Sequence, residues 1–201
     1  MYTMKAEMYL YGLDGQEQNQ QSAELKVAPY TVQKVFDVPA LHCSNAFLFL
    51  RLNSADDEIL AVNYYCLSSQ ADVCDWDNTS WVHTPVKKYA DFTSLASLPQ
   101  VACDVQAIMK QEPQELVVKV ALENELSAIA FFVRLSLKDE KGELLVPVFW
   151  EDNYLALMPG EKRVVKCRIP LAVASVDKMT LTVSGWNVAE KNIVLSLSGT
   201  K

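Results

Sequence analysis

The sequence predicts an all-β protein built from antiparallel sandwiches. Three observations carry that prediction. Apolar residues recur at every second position in short runs, polar turn residues separate the runs, and no segment sustains a helical period. Taken in chain order, residues 1–10 open on a strand-like alternation that ends at the turn Leu13-Asp14-Gly15. Glu115 to Leu122, Phe131 to Leu137 and Leu144 to Phe149 read as further strands. Val165, Cys167 and Ile169 share one face against Lys166 and Arg168. In the last runs, Met179, Leu181 and Val183 oppose Thr180, Thr182 and Ser184, and Ile193, Leu195 and Leu197 repeat the pattern. Asp139 to Gly142 and Met158-Pro159-Gly160-Glu161 are turns, since Gly supplies positive φ and Pro presets φ near −65°. Ser68 to Pro99 differs: it reads as a long polar excursion with one short helical turn near Asp91 to Leu95, which Asp91 caps.

An internal echo places the domain boundary. Phe49-Leu-Arg51-Leu52, an acidic turn (Asp56-Asp57-Glu58) and Leu60 to Tyr65 are answered by Phe132-Val-Arg134-Leu135, the turn at 138–142 and Leu145 to Trp150. Two copies of one hairpin, about 85 residues apart, fit two sandwiches of immunoglobulin size, roughly 100 residues each. The expected architecture is two tandem immunoglobulin-like antiparallel β-sandwiches, residues 1–99 and 100–201, joined near Pro99. The first includes the polar excursion.

Composition narrows the function classes. Half of the 201 residues are apolar, enough to build cores, and no run reaches the roughly 18 to 20 apolar residues of a spanning helix. The net charge of −7 lies mostly in the first half, where 12 acidic residues face 6 basic ones. A surface that neutralises phosphates needs clustered Lys and Arg, so neither nucleic acid nor membrane is expected as a partner. The five cysteines, Cys43, Cys66, Cys74, Cys103 and Cys167, form no C-x-x-C pair and read as packed thiols. A metal set of His42, Cys43, Cys66, Cys74 and His83 matches no ligand spacing, and no metal or cofactor is expected. The N-terminus has no apolar signal core and no small-residue cleavage site. Its immediate strand pattern reads as a chain cut from something longer. Asn78-Thr79-Ser80 fits a glycosylation sequon, a tripeptide common by chance.

The search for chemistry returns little. His42 and His83 are the only histidines, no G-x-S-x-G elbow accompanies them, and no phosphate-binding glycine loop is present. Most carboxylates fall in turns. Asn124-Glu125 invites comparison with a glycosidase acid/base pair, but a retaining site needs a second carboxylate about 5 to 5.5 Å away. The barrel that carries such a pair takes about 250 residues, more than the chain contains. Asn124-Glu125 therefore reads as the turn before Phe131, and no catalytic residue is expected. Trp76, Trp81, Trp150, Tyr154 and Trp186 all neighbour Asp or Asn, as sugar-stacking rings do. The candidate carbohydrate or interdomain contacts are Trp150, Asp152, Asn153, Tyr154, Trp76 and Trp81. The alternative is that Trp150 and Tyr154 close the end of a sandwich while Asp152 and Asn153 bond turn backbone.

Three blocks of the second half resemble a known family: Ala130-Phe131-Phe132-Val-Arg134-Leu; Leu145-x-Pro147-Val-x-Trp150-x-Asp152-Asn153-Tyr154-x-x-Leu157-x-Pro159-Gly160-Glu161; and Gly185-Trp186-Asn187. They are similar to the C-terminal immunoglobulin-like domain of family 2 glycoside hydrolases, namely exo-β-glucosaminidases and mannosylglycoprotein endo-β-mannosidases, with β-mannosidases as relatives. Phe49-Leu-Arg51-Leu, Asn63 to Ser68 and Thr84-Pro85 through Asp91-Phe92 to Leu98-Pro99 resemble the domain before it, with Cys66 where a Trp is usual. The resemblance runs from about residue 5 to 199. It implies a tail without the active site, because the catalytic glutamates of such enzymes lie in an upstream barrel.

The leading expectation is a non-catalytic accessory region that packs on the catalytic barrel and N-terminal domains of a parent hydrolase. By resemblance that parent is secreted or periplasmic. A glycan-binding module and an immunoglobulin-like adhesion protein are the competing classes.

Overall fold

The computed structural model describes residues 2–172 and 178–197. It divides into two compact units, Met1–Leu98 and Pro99–Lys201.

Unit 1 is built on β1 (Tyr2–Gly12), β2 (Glu17–Val27), β3 (Asn45–Ser54) and β4 (Ile59–Ser68). They form one antiparallel sheet in the order β2-β1-β3-β4. Because strand side chains alternate, the register fixes two faces. Ala6, Leu52 and Ala61 lie in one cross-strand row, and Met8, Leu50 and Asn63 in the next. Met8, Leu10, Ala46 and Leu48 are buried on this face, and Phe36, Leu41 and Cys43 of the irregular segment 28–44 pack on them. The opposite face carries Glu7, Tyr9, Phe47, Phe49 and Arg51. After β4 comes a two-stranded ribbon, β5 (Val73–Cys74) with β6 (Val86–Lys88), enclosing a 3-10 turn at Trp76–Asn78. The helical turn expected near Asp91 is a 3-10 turn at Thr93–Ser97. The Asp91 carboxylate accepts the Thr93 N–H and hydroxyl, which holds it below the usual carboxylate range. Asn45, almost fully buried, anchors this segment by donating to the Asp91 carbonyl at 2.8 Å and accepting from the Ser94 hydroxyl.

Unit 2 is a sandwich of two sheets. One is formed by β7 (Asp104–Gln111), β8 (Glu115–Glu123), β10 (Phe149–Trp150) and β12 (Lys162–Pro170), in the order β10-β12-β8-β7. The other is formed by β9 (Ala130–Lys138), β11 (Leu155–Leu157), β13 (Met179–Ser184) and β14 (Lys191–Leu195), in the order β11-β9-β13-β14. One continuous core fills the interior, with Leu116, Val118, Val120 and Leu122 meeting Val133, Leu135, Leu137, Leu181 and Val183. In β12 the expected alternation holds: Val165, Cys167 and Ile169 are buried, while Lys166 and Arg168 are exposed. In β13 Thr182, expected on the wet face, is buried as well and bonds Asn192.

Two expectations change. Leu144 to Phe149 is not a strand. After one bridge between Lys138 and Leu144, the chain leaves β9, and only Phe149–Trp150 pairs, with β12 of the other sheet. Pro147 has no N–H to donate to a ladder, which ends the pairing. The internal echo therefore marks a true hairpin only in unit 1, where β3 and β4 pair along their length. In unit 2 the matching residues cross between sheets.

Candidate functional site

The sequence-selected residues fall into two places. Trp76 and Trp81 sit on the unit 1 ribbon, and 150–154 on the connection from β10 to β11. The ribbon is held by polar bonds. Asp75 accepts from Asn78 Nδ2 at 2.7 Å and pairs with Lys87 Nζ at 2.9 Å, so its carboxyl is lowered by Asn78 first and Lys87 second. The Asp75 N–H donates to the Pro85 carbonyl at 2.7 Å, and the Ser80 N–H to that of His83 at 2.8 Å. On this frame Trp76 is 73% exposed and Trp81 96%. The Asn78 amide of the sequon is engaged in the same network.

In unit 2, Trp150 packs half-buried against the core. Asn153 acts as a substitute strand neighbour: its Oδ1 accepts the Leu135 N–H at 2.8 Å and its Nδ2 donates to the Leu135 carbonyl at 2.9 Å. Asp152 pairs with Arg163 at 3.5 Å, and Arg163 also pairs with Glu161. Tyr154 has φ 56° and lies 5.0 Å from the ring of Phe132, whose φ is 57°. Bulky residues adopt this left-handed conformation at a cost, and here each is 44–45% exposed.

Sequence reasoning read Phe131 and Phe132 only as strand interior. Val133 pairs with Leu155 and Ala130 with Leu157, so β9 carries an extra residue at this point. That bulge moves the buried phase from Ala130 to Val133. Strict alternation from Ala130 would have turned Arg134 into the core, and the Phe-Phe doublet was the available signal.

Asn124, read as a turn residue, is fully buried. Its Nδ2 donates to the carbonyls of Ala128 at 2.9 Å and Leu157 at 3.0 Å. Its own carbonyl accepts the N–H of Gly160, whose φ of 75° suits glycine. Asn187 does the same at the sheet end, accepting from Phe131 N and donating to the Pro99 and Ile129 carbonyls.

A cluster that the sequence did not announce surrounds Glu7, 6% exposed. Lys5 Nζ lies 2.8 Å away, Arg51 Nε 2.9 Å and Asn53 Nδ2 3.2 Å. Burial alone would raise this carboxyl. The bonds from Lys5 and Arg51 outweigh it and hold the carboxyl low. Arg51 also donates to the Tyr9 hydroxyl at 3.1 Å and stacks over its ring. A carboxylate held ionised by two cations is a structural anion, unlike the paired carboxylates of a glycosidase, where a raised acid faces a nucleophile. Among the described residues no three His, Cys, Asp or Glu side chains converge on one point.

The two-unit β framework can be set beside known proteins. A family described as the exo-β-D-glucosaminidase Ig-fold domain matches residues 81–188. An exo-β-D-glucosaminidase of Arthroderma benhamiae is 36% identical over 189 residues, covering 92% of this chain and 20% of that enzyme. One from Hypocrea jecorina is 33% identical over 157 residues, covering 76% and 16%. The Amycolatopsis orientalis exo-chitosanase CsxA superposes with a TM-score of 0.85 at 25% identity, covering 96% of this chain and 24% of that one. A β-D-mannosidase from Dictyoglomus thermophilum shares the fold, with a TM-score of 0.53 at 16% identity. The chain spans about a fifth of the length of the curated relatives it matches. The chain belongs to the exo-β-D-glucosaminidase Ig-fold domain family.

Proposed function

We propose that this chain is the non-catalytic accessory region of a family 2 glycoside hydrolase of the exo-β-D-glucosaminidase type. Its units support a catalytic barrel that lies outside residues 1–201. One observation carries the reading: 92% of the chain aligns with only a fifth of a known exo-β-D-glucosaminidase. The chemistry of the chain agrees. Glu7, Asp75, Asp91 and Glu161 all spend their carboxylates on cations or backbone N–H groups. The purified 201-residue chain is expected to give no turnover of aryl β-D-glucosaminide or aryl β-mannoside. Turnover that persists after further purification would overturn the reading.

A second reading, glycan contact by either unit on its own, is favoured in unit 1 by the exposed Trp76 and Trp81 on a hydrogen-bonded ribbon and, separately, in unit 2 by the Phe132–Tyr154 ring pair beside Asp152. Exposed aromatic rings with a few flanking polar groups are what a sugar contact uses. Calorimetric titration with glucosamine oligomers tests it: heat that disappears in Trp81→Ala or Tyr154→Ala supports a sugar contact, and no heat removes it.

A further inference from the structure

We infer that the apolar face of the unit 1 sheet is the seat of an extended segment of the same polypeptide, from outside residues 1–201, which lies across it as a second layer. This rests on the accessory reading above. The face holds an open groove of about 360 Å³. Its floor is Ala6, Met8, Leu50, Leu52 and Ala61, residues of β1, β3 and β4 that the register places on one side of the sheet. Val35, Phe36 and Val38 form its wall. The charged Glu7 and Arg51 alternate to the other face, so no charge projects from the floor.

The shape and chemistry select the occupant. Ala6 and Ala61 are small and leave a hollow between larger Met8, Leu50 and Leu52. Apolar side chains entering from above at every second residue would fill it, as facing sheets interdigitate in a sandwich. A sugar would need several polar groups converging on the cavity. Among the groove-lining residues, Asn63 alone puts a polar side chain on this face, at the β4 edge. Segment 28–44 already covers the Met8, Leu10 and Ala46 end of the face with Phe36, Leu41 and Cys43. The remainder stays open towards β4, where Tyr65, paired with Leu48 on this face, is 49% exposed. Unit 2 completes two layers from its own strands, whereas unit 1 has one four-stranded sheet and a short ribbon. The matched enzymes are about five times the length of this chain, so there is ample polypeptide to supply the missing layer.

Thiol labelling tests this. Ala61→Cys places a thiol on the groove floor, and Asp57→Cys places one in the β3–β4 turn as a control. Each is made in the 201-residue chain and in the protein encoded by the entire reading frame, then treated with N-ethylmaleimide and read by peptide mass spectrometry. The floor thiol of Ala61→Cys is expected to react at least about tenfold more slowly in the longer protein, because a packed layer must open before reagent enters. The turn thiol of Asp57→Cys is expected to react at the same rate in both. Equal floor-thiol rates in a longer protein that cleaves β-D-glucosaminides would overturn this inference and leave the accessory reading intact. A frame that encodes nothing beyond this chain would overturn both. Concentration-dependent protection of the floor thiol in the 201-residue chain alone would overturn it in favour of a second copy. Ala61→Trp supplies an independent reading: its indole fills the groove, so it is expected to leave the melting temperature of the short chain unchanged or higher and to lower that of the longer protein. No lowering would count against the inference.

Discussion

At the residue scale, buried Asn124, Asn187 and Glu7 and half-buried Asn153 tie polar side chains to distant parts of the fold. Asn124, Asn153 and Asn187 each bond main-chain groups that no strand partner reaches. Removing such a side chain leaves buried carbonyls without donors, which costs about 1–3 kcal/mol. Asn124→Ala is therefore expected to lower the urea midpoint by more than Asn153→Ala, because Asn124 is the more buried and serves more carbonyls. Equal or negligible losses would contradict the pinning role. Glu7 gives a pH prediction. Its carboxyl is lowered in the folded state relative to an ordinary value of 4.5. Its stabilisation is thus present above the unfolded value and lost as pH falls through the folded one. Wild type should lose stability more steeply than Glu7→Gln below about pH 4.5, while at pH 7 the variant should be about 2 kcal/mol less stable, its cations left unpaired. Parallel acid limbs in denaturant titrations would show that Glu7 is not the group responsible. These residues were poorly legible in the sequence. Asn124 looked like any turn residue, and Glu7 was one acid among many. Their roles depend on partners distant in the chain, such as Leu157 and Arg51, that only the fold brings near.

At the element scale, the strands of unit 2 were legible because burial follows alternation. Lys162–Pro170 buries only residues that period two selects, and Met179–Ser184 buries those and Thr182 besides. The failures have local causes. Leu144 to Phe149 is apolar enough for a strand, but Pro147 interrupts the donor ladder. The Phe131–Phe132 bulge is invisible to a periodicity argument because it changes phase within one strand. The strain there can be measured. Phe132→Ala and Phe132→Gly both remove the ring, and only glycine relaxes a φ of 57°. The glycine variant is expected to be more stable than the alanine variant by about 1 kcal/mol. Glycine equal to or below alanine would mean that the backbone there carries no strain. The candidate site shows the same limit. The sequence picked out Trp150 to Tyr154, whereas the structure adds Phe132 to Tyr154 through a bulge that the pattern does not reveal.

At the scale of the whole molecule, the even apolar composition is spent unevenly. Buried hydrophobic residues concentrate in unit 2, where one core runs from Val101 to Leu195. Unit 1 leaves Ile59, Leu60, Tyr65, Trp76 and Trp81 in solvent, and its sheet face is only partly covered. Stability is the small surplus of burial over chain entropy, and a unit of about 100 residues has little margin to lose. Residues 99–201 expressed alone should therefore unfold in one cooperative transition. Residues 1–98 alone should unfold at lower urea and bind a hydrophobic dye before doing so. In the intact chain, hydrogen exchange should show β1–β4 amides opening at lower denaturant than those of β8, β9, β12 and β13. Coincident opening of both sets would mean that the units fold as one body. Earlier opening of unit 1 is the outcome expected of a sheet that, unlike those of unit 2, is finished by polypeptide this chain does not contain.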